Sequence, residues 1–132
     1  MKQSSGDEPA GFFASRCASF RYAFRGLDLA IRSEVHVRIH LVATLAVVGA
    51  GLYFDLSSTE WCNVSLAIGL VIASEILNTA IERLVDIVQP EHDVAAGQVK
   101  DIASAAALVA ALAAAVVGVI VFGPRLLLLL KL

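Results

Sequence analysis

The chain has 132 residues, of which 58% are hydrophobic and 17% charged, and its mean hydropathy is +0.80. A small soluble domain has too little interior to hide that much apolar side chain, and an ordinary one carries about 25% charged residues, so a soluble monomer and a disordered chain are both excluded in favour of a membrane protein. The net charge of −2, with no basic patch interleaved with aromatics, excludes nucleic acid as a partner.

Residues 1–11 are polar and small, with Asp7 and Glu8, and lack the basic-then-apolar order of a cleaved signal peptide. They are expected to form a disordered tail, with 12–132 as a single domain. From about 12 to 33, Phe13, Cys17, Phe20, Phe24, Leu27 and Ile31 recur at helical spacing, while Arg21, Arg25, Asp28 and Arg32 fall on another face. Large aromatics beside a basic face predict an amphipathic helix lying in the headgroup plane.

Charge divides the rest into three apolar stretches. Residues 39–54 carry no formal charge with His40 neutral, and the first span, about 35–54, borrows its opening turns from the segment ending in Arg38, which snorkels. The second span, about 61–86, holds Glu75 alone between Glu60 and Glu82. The third, about 100–124, has no charge between Asp101 and Arg125. A span needs roughly 20 residues. The third has almost no polar face, which argues against three buried helices of a soluble bundle. Its alanines, from Ala103 to Ala115, permit close helix approach. Residues 126–130 read as a fraying outer end. The pair Gly49 and Gly51 reads as helix packing, because a nucleotide loop needs a strand before it. Cys17 and Cys62 read as small apolar fillers on opposite sides of the bilayer, not as a disulfide.

Eight of the ten basic residues lie on the N-terminal side of the membrane, before or at the start of the first span and around the connection of the second to the third, whereas the loop 55–60 has no Lys or Arg. The positive-inside rule then predicts a cytoplasmic N-terminus and an outer C-terminus.

Within the second span, Glu75, Asn78, Thr79, Glu82 and Asp86 form one stripe along a helical face. Ionisable groups inside a span are costly and mark function. Glu75 stands roughly 10 Å deeper than Glu82 by helical rise, where Asn78 and Thr79, one turn away, are expected to hydrogen-bond it. A carboxylate at that depth suits general-base work on a hydroxyl held at the boundary of headgroups and chains. Glu34 and Arg38 fall at the same level, as do Gly97, Lys100, Asp101 and Ser104. Lys100 offers a point charge to a phosphate, and Glu34 with Glu82 offers oxygens to Mg²⁺, which takes one or two carboxylates plus phosphates. Base, metal carboxylates and cation at one interface are the equipment of phosphoryl transfer. No Walker loop is present: Gly97-Gln-Val-Lys100 lacks the first glycine.

The run Glu75-Ile-Leu-Asn-Thr-Ala-Ile-Glu82, followed by Asp86 and by Lys100-Asp101 with Ser104, resembles the bacterial integral-membrane diacylglycerol kinase and undecaprenol kinase family, from about residue 20 to 120. The resemblance implies a homotrimer of three-span subunits, each with an N-terminal surface helix, sitting in the bacterial inner membrane and using ATP and Mg²⁺ at sites shared between neighbours. By motif it implies Glu75 as general base supported by Asn78, Glu34 and Glu82 as metal ligands, and Lys100 with Asp101 at the nucleotide. It also implies Glu91, His92 and Asp93 in the ATP loop, Tyr22 as an aromatic near the nucleotide, and Arg16, Arg38 and Ser104 as substrate contacts. Where the diacylglycerol kinases carry Glu-Tyr-His, this loop has Glu-His-Asp. Val37-Arg-Ile-His-Leu41 and the Phe122-Gly-Pro124 ending resemble the undecaprenol kinase branch. The expected activity is phosphorylation of undecaprenol, with diacylglycerol as the alternative lipid. An ion- or proton-conducting protein and a non-enzymatic scaffold are the alternatives of another class.

Overall fold

The computed structural model describes residues 10–130, with side chains from Arg16 onward. The described residues form four helices: α1 (Ala10–Ser33), α2 (Val35–Tyr53), α3 (Ser58–Val88) and α4 (Val94–Leu130). Ala10 and Gly11, expected in the tail, are the first residues of α1, and positions 1–9 lie outside the described residues. Three of the helices, α2 to α4, are long and apolar enough to cross a membrane. With 19, 31 and 37 residues they measure about 28, 46 and 55 Å at 1.5 Å per residue, against a hydrocarbon core of about 30 Å. Leu45, Leu66, Leu112 and Val119 point outward from them, as expected of helices whose backbone polar groups are satisfied internally and whose solvent is lipid.

Local chemistry sets where each element begins and ends. One non-helical residue, Glu34, separates α1 from α2; its backbone is extended and its N–H still reaches the carbonyl of Ala30 at 3.0 Å. Ala30 is buried there, while Phe20, Tyr22 and Phe24 stand clear of the rest of the chain. The turn after α2 closes through Asp55, which adopts φ 50°, a left-handed conformation that Asp tolerates better than most residues. Ser57 then caps α3 by a reciprocal box, its hydroxyl accepting from the Glu60 N–H while the Glu60 carboxylate accepts from the Ser57 N–H at 2.9 Å. This cap starts α3 ahead of the predicted span. Asp93 does the same for α4, its carboxylate accepting from the Ala96 N–H at 2.8 Å. At the far end, 126–130 remain helical beyond Pro124 instead of fraying. Proline removes one backbone donor, and in that turn the Arg125 guanidinium donates to the Val121 carbonyl.

Antiparallel rungs fix the register. Arg125 makes a two-pronged pair with Glu60 at 2.8 and 3.0 Å, Ser104 meets Asn78 at 3.4 Å, and Lys100 pairs with Asp86. Ala103, Ala107 and Ala110 are buried along one face of α4, which is the close approach that small residues allow. Leu56, Val64 and Val121 form the apolar core near the α2–α3 turn, with Trp61, Val47 and Phe122 against it. Gly51 is needed there, since a Cβ would lie 2.7 Å from Trp61 Cη2, whereas a Cβ on Gly49 meets nothing within 4 Å. Cys17 and Cys62 are free thiols, exposed in the single chain. Between α2 and α4, and floored by α3, runs an apolar cleft whose walls include Val47, Ile68, Val71 and Phe122; His40 lies at the end away from the turn.

Candidate active site

Helical periodicity places the polar stripe of α3 at the end of the bundle opposite the Asp55 turn. Glu75 is its deepest member. Its side chain is only 12% exposed, and Oε1 lies 3.3 Å from Nε2 of His40 on α2. The expected hydrogen bonds from Asn78 and Thr79 to this carboxylate are not made. Asn78 Nδ2 donates to Glu82 Oε1 at 3.0 Å, and its Oδ1 accepts from Ser104 on α4. Thr79, buried at 6%, donates to the backbone carbonyl of Glu75 at 3.0 Å. The reason is angular: residues three apart on a helix differ by about 60° in direction. Glu75 therefore looks toward α2 while Asn78 looks toward α4.

Glu34 lies at the α1–α2 junction, and its Oε1 is 3.9 Å from Arg83 Nη2. The junction thus sits level with the Glu82–Arg83 turn of α3. Arg38 is exposed one turn further along α2, and its backbone N–H reaches the Glu34 carbonyl at 3.4 Å. Among the described residues no group of three His, Cys, Asp or Glu side chains converges on one point. The donors available to a divalent cation here are carboxylates such as Glu34 and Glu82. These hard oxygens fit Mg²⁺ when the remaining ligands are phosphate and water.

A second, more polar cleft lies in the α3–α4 connection. Asp86, Pro90, Glu91, His92, Asp93 and Lys100 line it together with Gly97. Glu91, His92, Asp93 and Lys100, which the resemblance assigns to the nucleotide, line this one cleft. Two of them already have partners in the chain: Asp93 caps α4, and Lys100 pairs with Asp86. Asp101 is exposed beside that cleft. Tyr22 and Arg16 are exposed on α1, with the Arg21 guanidinium 5.6 Å over the Tyr22 ring. Among the described residues α1 packs against α2 and α3 but not α4, so within one chain Tyr22 is not brought to the loop cleft by helix packing.

His40, Arg83 and Arg125 were not singled out from the sequence as site or tie residues. The antiparallel register held the signal for His40. Glu34 lies level with Arg83, and six residues up α2 from Glu34 is His40, which faces about six residues back along α3, within two positions of Glu75. Asp86, the last member of the stripe, is the partner of Lys100.

The family model described as prokaryotic diacylglycerol kinase matches residues 21–122. A protein named undecaprenol kinase from Bacillus subtilis is 37% identical over 108 residues, covering 82% of this chain and 88% of the relative. One named diacylglycerol kinase from Synechocystis sp. is 38% identical over 111 residues, covering 83% of this chain and 63% of the relative. Another of that name from Escherichia coli is 34% identical over 95 residues, covering 72% of this chain and 78% of the relative.

Proposed function

The chain belongs to the prokaryotic diacylglycerol kinase family, and from that premise we propose that it moves the terminal phosphoryl group of ATP onto the hydroxyl of undecaprenol at the cytoplasmic face of the bacterial inner membrane. It is a membrane-embedded lipid kinase, and so a transferase. The observation that carries the mechanism is the Glu75 carboxylate, 12% exposed and set deep in a membrane helix, with an imidazole beside it.

In this reading Glu75 accepts the proton of the lipid hydroxyl. The oxygen bonds to the terminal phosphorus, the bond to the bridging oxygen breaks, and ADP leaves; the proton on Glu75 later passes to water. Such transfer depends on positioning and on neutralising charge. Lys100 and Asp101, with Glu91, His92 and Asp93 in the loop, hold the nucleotide from one side, and Tyr22 approaches it from α1. Arg16, Arg38 and Ser104 line the substrate approach. Asn78 keeps Glu82 in place, as their 3.0 Å hydrogen bond supports. Glu34 and Glu82 would hold Mg²⁺, which when bound supplies neutralisation of phosphate charge. Because α1 does not pack on α4 within a chain, a homotrimer whose neighbours complete each site accounts for Tyr22 at the nucleotide. The distribution of basic residues supports a cytoplasmic N-terminus.

The choice of lipid follows the residues around His40 and Pro124 and the relative named undecaprenol kinase. The relatives named diacylglycerol kinase favour the second reading, diacylglycerol. Incubating the pure protein with membrane lipid extract and labelled ATP separates them. A labelled polyprenyl phosphate is the expected product, and labelled phosphatidic acid in its place would establish the second reading.

A further inference from the structure

The imidazole of His40 faces the base from another helix and has no part in the proton transfer described above. We propose that His40 is a positioning residue for the phosphoryl transfer, its Nε2–H holding one oxygen of Glu75 so that the other is presented to the lipid hydroxyl. This rests on the reading of Glu75 as general base.

Three observations carry it. His40 Nε2 is 3.3 Å from Glu75 Oε1, and the two side chains are 26% and 12% exposed, so the pair is mostly withdrawn from its surroundings even in a single chain. The other polar side chains nearby are engaged elsewhere: Thr79 with the Glu75 carbonyl, Asn78 with Glu82, and Thr44 with the His40 carbonyl at 2.8 Å. Finally, His40 ends a cleft whose other walls are mostly apolar, among them Ala43, Val47, Val71 and Val117. The Thr44 hydroxyl in that lining is already given to the His40 carbonyl, and a carboxylate largely withdrawn from water without a donor is costly. A glutamate has three rotatable side-chain bonds; an acceptor left free to swing spends little time in an attack geometry, and a misplacement of about 1 Å costs on the order of 100-fold in rate. A contact on Oε1 from a different helix removes that freedom.

The test uses the full chain in mixed micelles with magnesium-ATP and, in separate arms, a polyprenol and a diacylglycerol, reading whichever lipid the wild type phosphorylates. Glutamine places an amide N–H near where histidine has Nε2, and asparagine stops short of it. His40→Asn and His40→Leu should lower kcat about 10- to 100-fold with KM for ATP within about twofold, and His40→Gln should return most of the loss. In the residual turnover of Glu75→Gln, adding His40→Leu should change the rate less than about twofold, because one residue acts through the other. The proposal is overturned if His40→Leu turns over like wild type, or if Gln, Asn and Leu lower kcat equally. Should the leucine variant fail to fold, the Gln–Asn pair decides it. Normal turnover of Glu75→Gln would remove the base and with it this role, whereas an inactive Glu75→Gln beside a fully active His40→Leu would remove His40 alone.

Discussion

Near the midpoint of α3, Glu75 occupies a place where an ionisable side chain costs about 3 kcal/mol on insertion scales. The chain accepts that cost with a single imidazole beside the carboxylate, which fits a group kept for proton transfer better than one kept for adhesion. Lys100 has a different part. It lies in the loop cleft, paired with Asp86, and under the proposed function a phosphate arriving there competes with that carboxylate for the ammonium. Lys100→Ala should therefore raise KM for ATP about tenfold or more, on the scale of a lost charge-assisted hydrogen bond, while KM for the lipid stays within about twofold; initial rates with each substrate varied in turn check this. The stripe itself was legible from spacing alone. The partners of its members were not, because spacing tells which residues share a face but not which neighbouring helix each one meets. Asn78 and Glu75 diverge toward α4 and α2 for that reason, and nothing in the sequence alone links His40 to Glu75; their contact follows from α2 lying against α3.

At the level of the helix, the spans were read from uninterrupted hydropathy, and their ends from the nearest charge. That rule located three apolar helices but misplaced their limits, because Glu60 and Asp93 work as capping partners and the helices run past or start before the charges. The alanine face of α4 was likewise legible, and Ala103, Ala107 and Ala110 are the buried ones. The two glycines of α2 were indistinguishable in sequence, whereas their surroundings differ. A methyl on Gly51 would press into Trp61 at 2.7 Å, and one on Gly49 would meet open space. Overpacking costs about 1–3 kcal/mol, and replacing glycine by alanine within a helix returns about 1 kcal/mol. Gly51→Ala should thus be less stable than wild type by up to about 2 kcal/mol, while Gly49→Ala should be neutral or stabilising by up to about 1 kcal/mol. Equilibrium unfolding in detergent micelles measures both, and equal effects at the two positions would contradict the packing described.

For the molecule as a whole, composition placed the chain in the membrane and the order of charges organised it into a surface helix and three spans. What a single sequence does not contain is the neighbour. In one chain α1 reaches α2 and α3 but not α4, and large apolar faces such as those of Leu45, Leu66 and Val119 remain uncovered. Native mass spectrometry from detergent should give three times the 13.9 kDa chain, and a monomer or dimer that phosphorylates lipid at full rate would contradict shared sites. The central claim concerns the acid inside α3, and Glu75→Gln tests it most directly, since it keeps the shape of the side chain while removing the proton acceptor. With circular dichroism, assembly and ATP binding unchanged, lipid phosphorylation should fall about 100- to 10,000-fold, the range attributed to a positioned general base. A folded Glu75→Gln protein that phosphorylates lipid at the wild-type rate would contradict it.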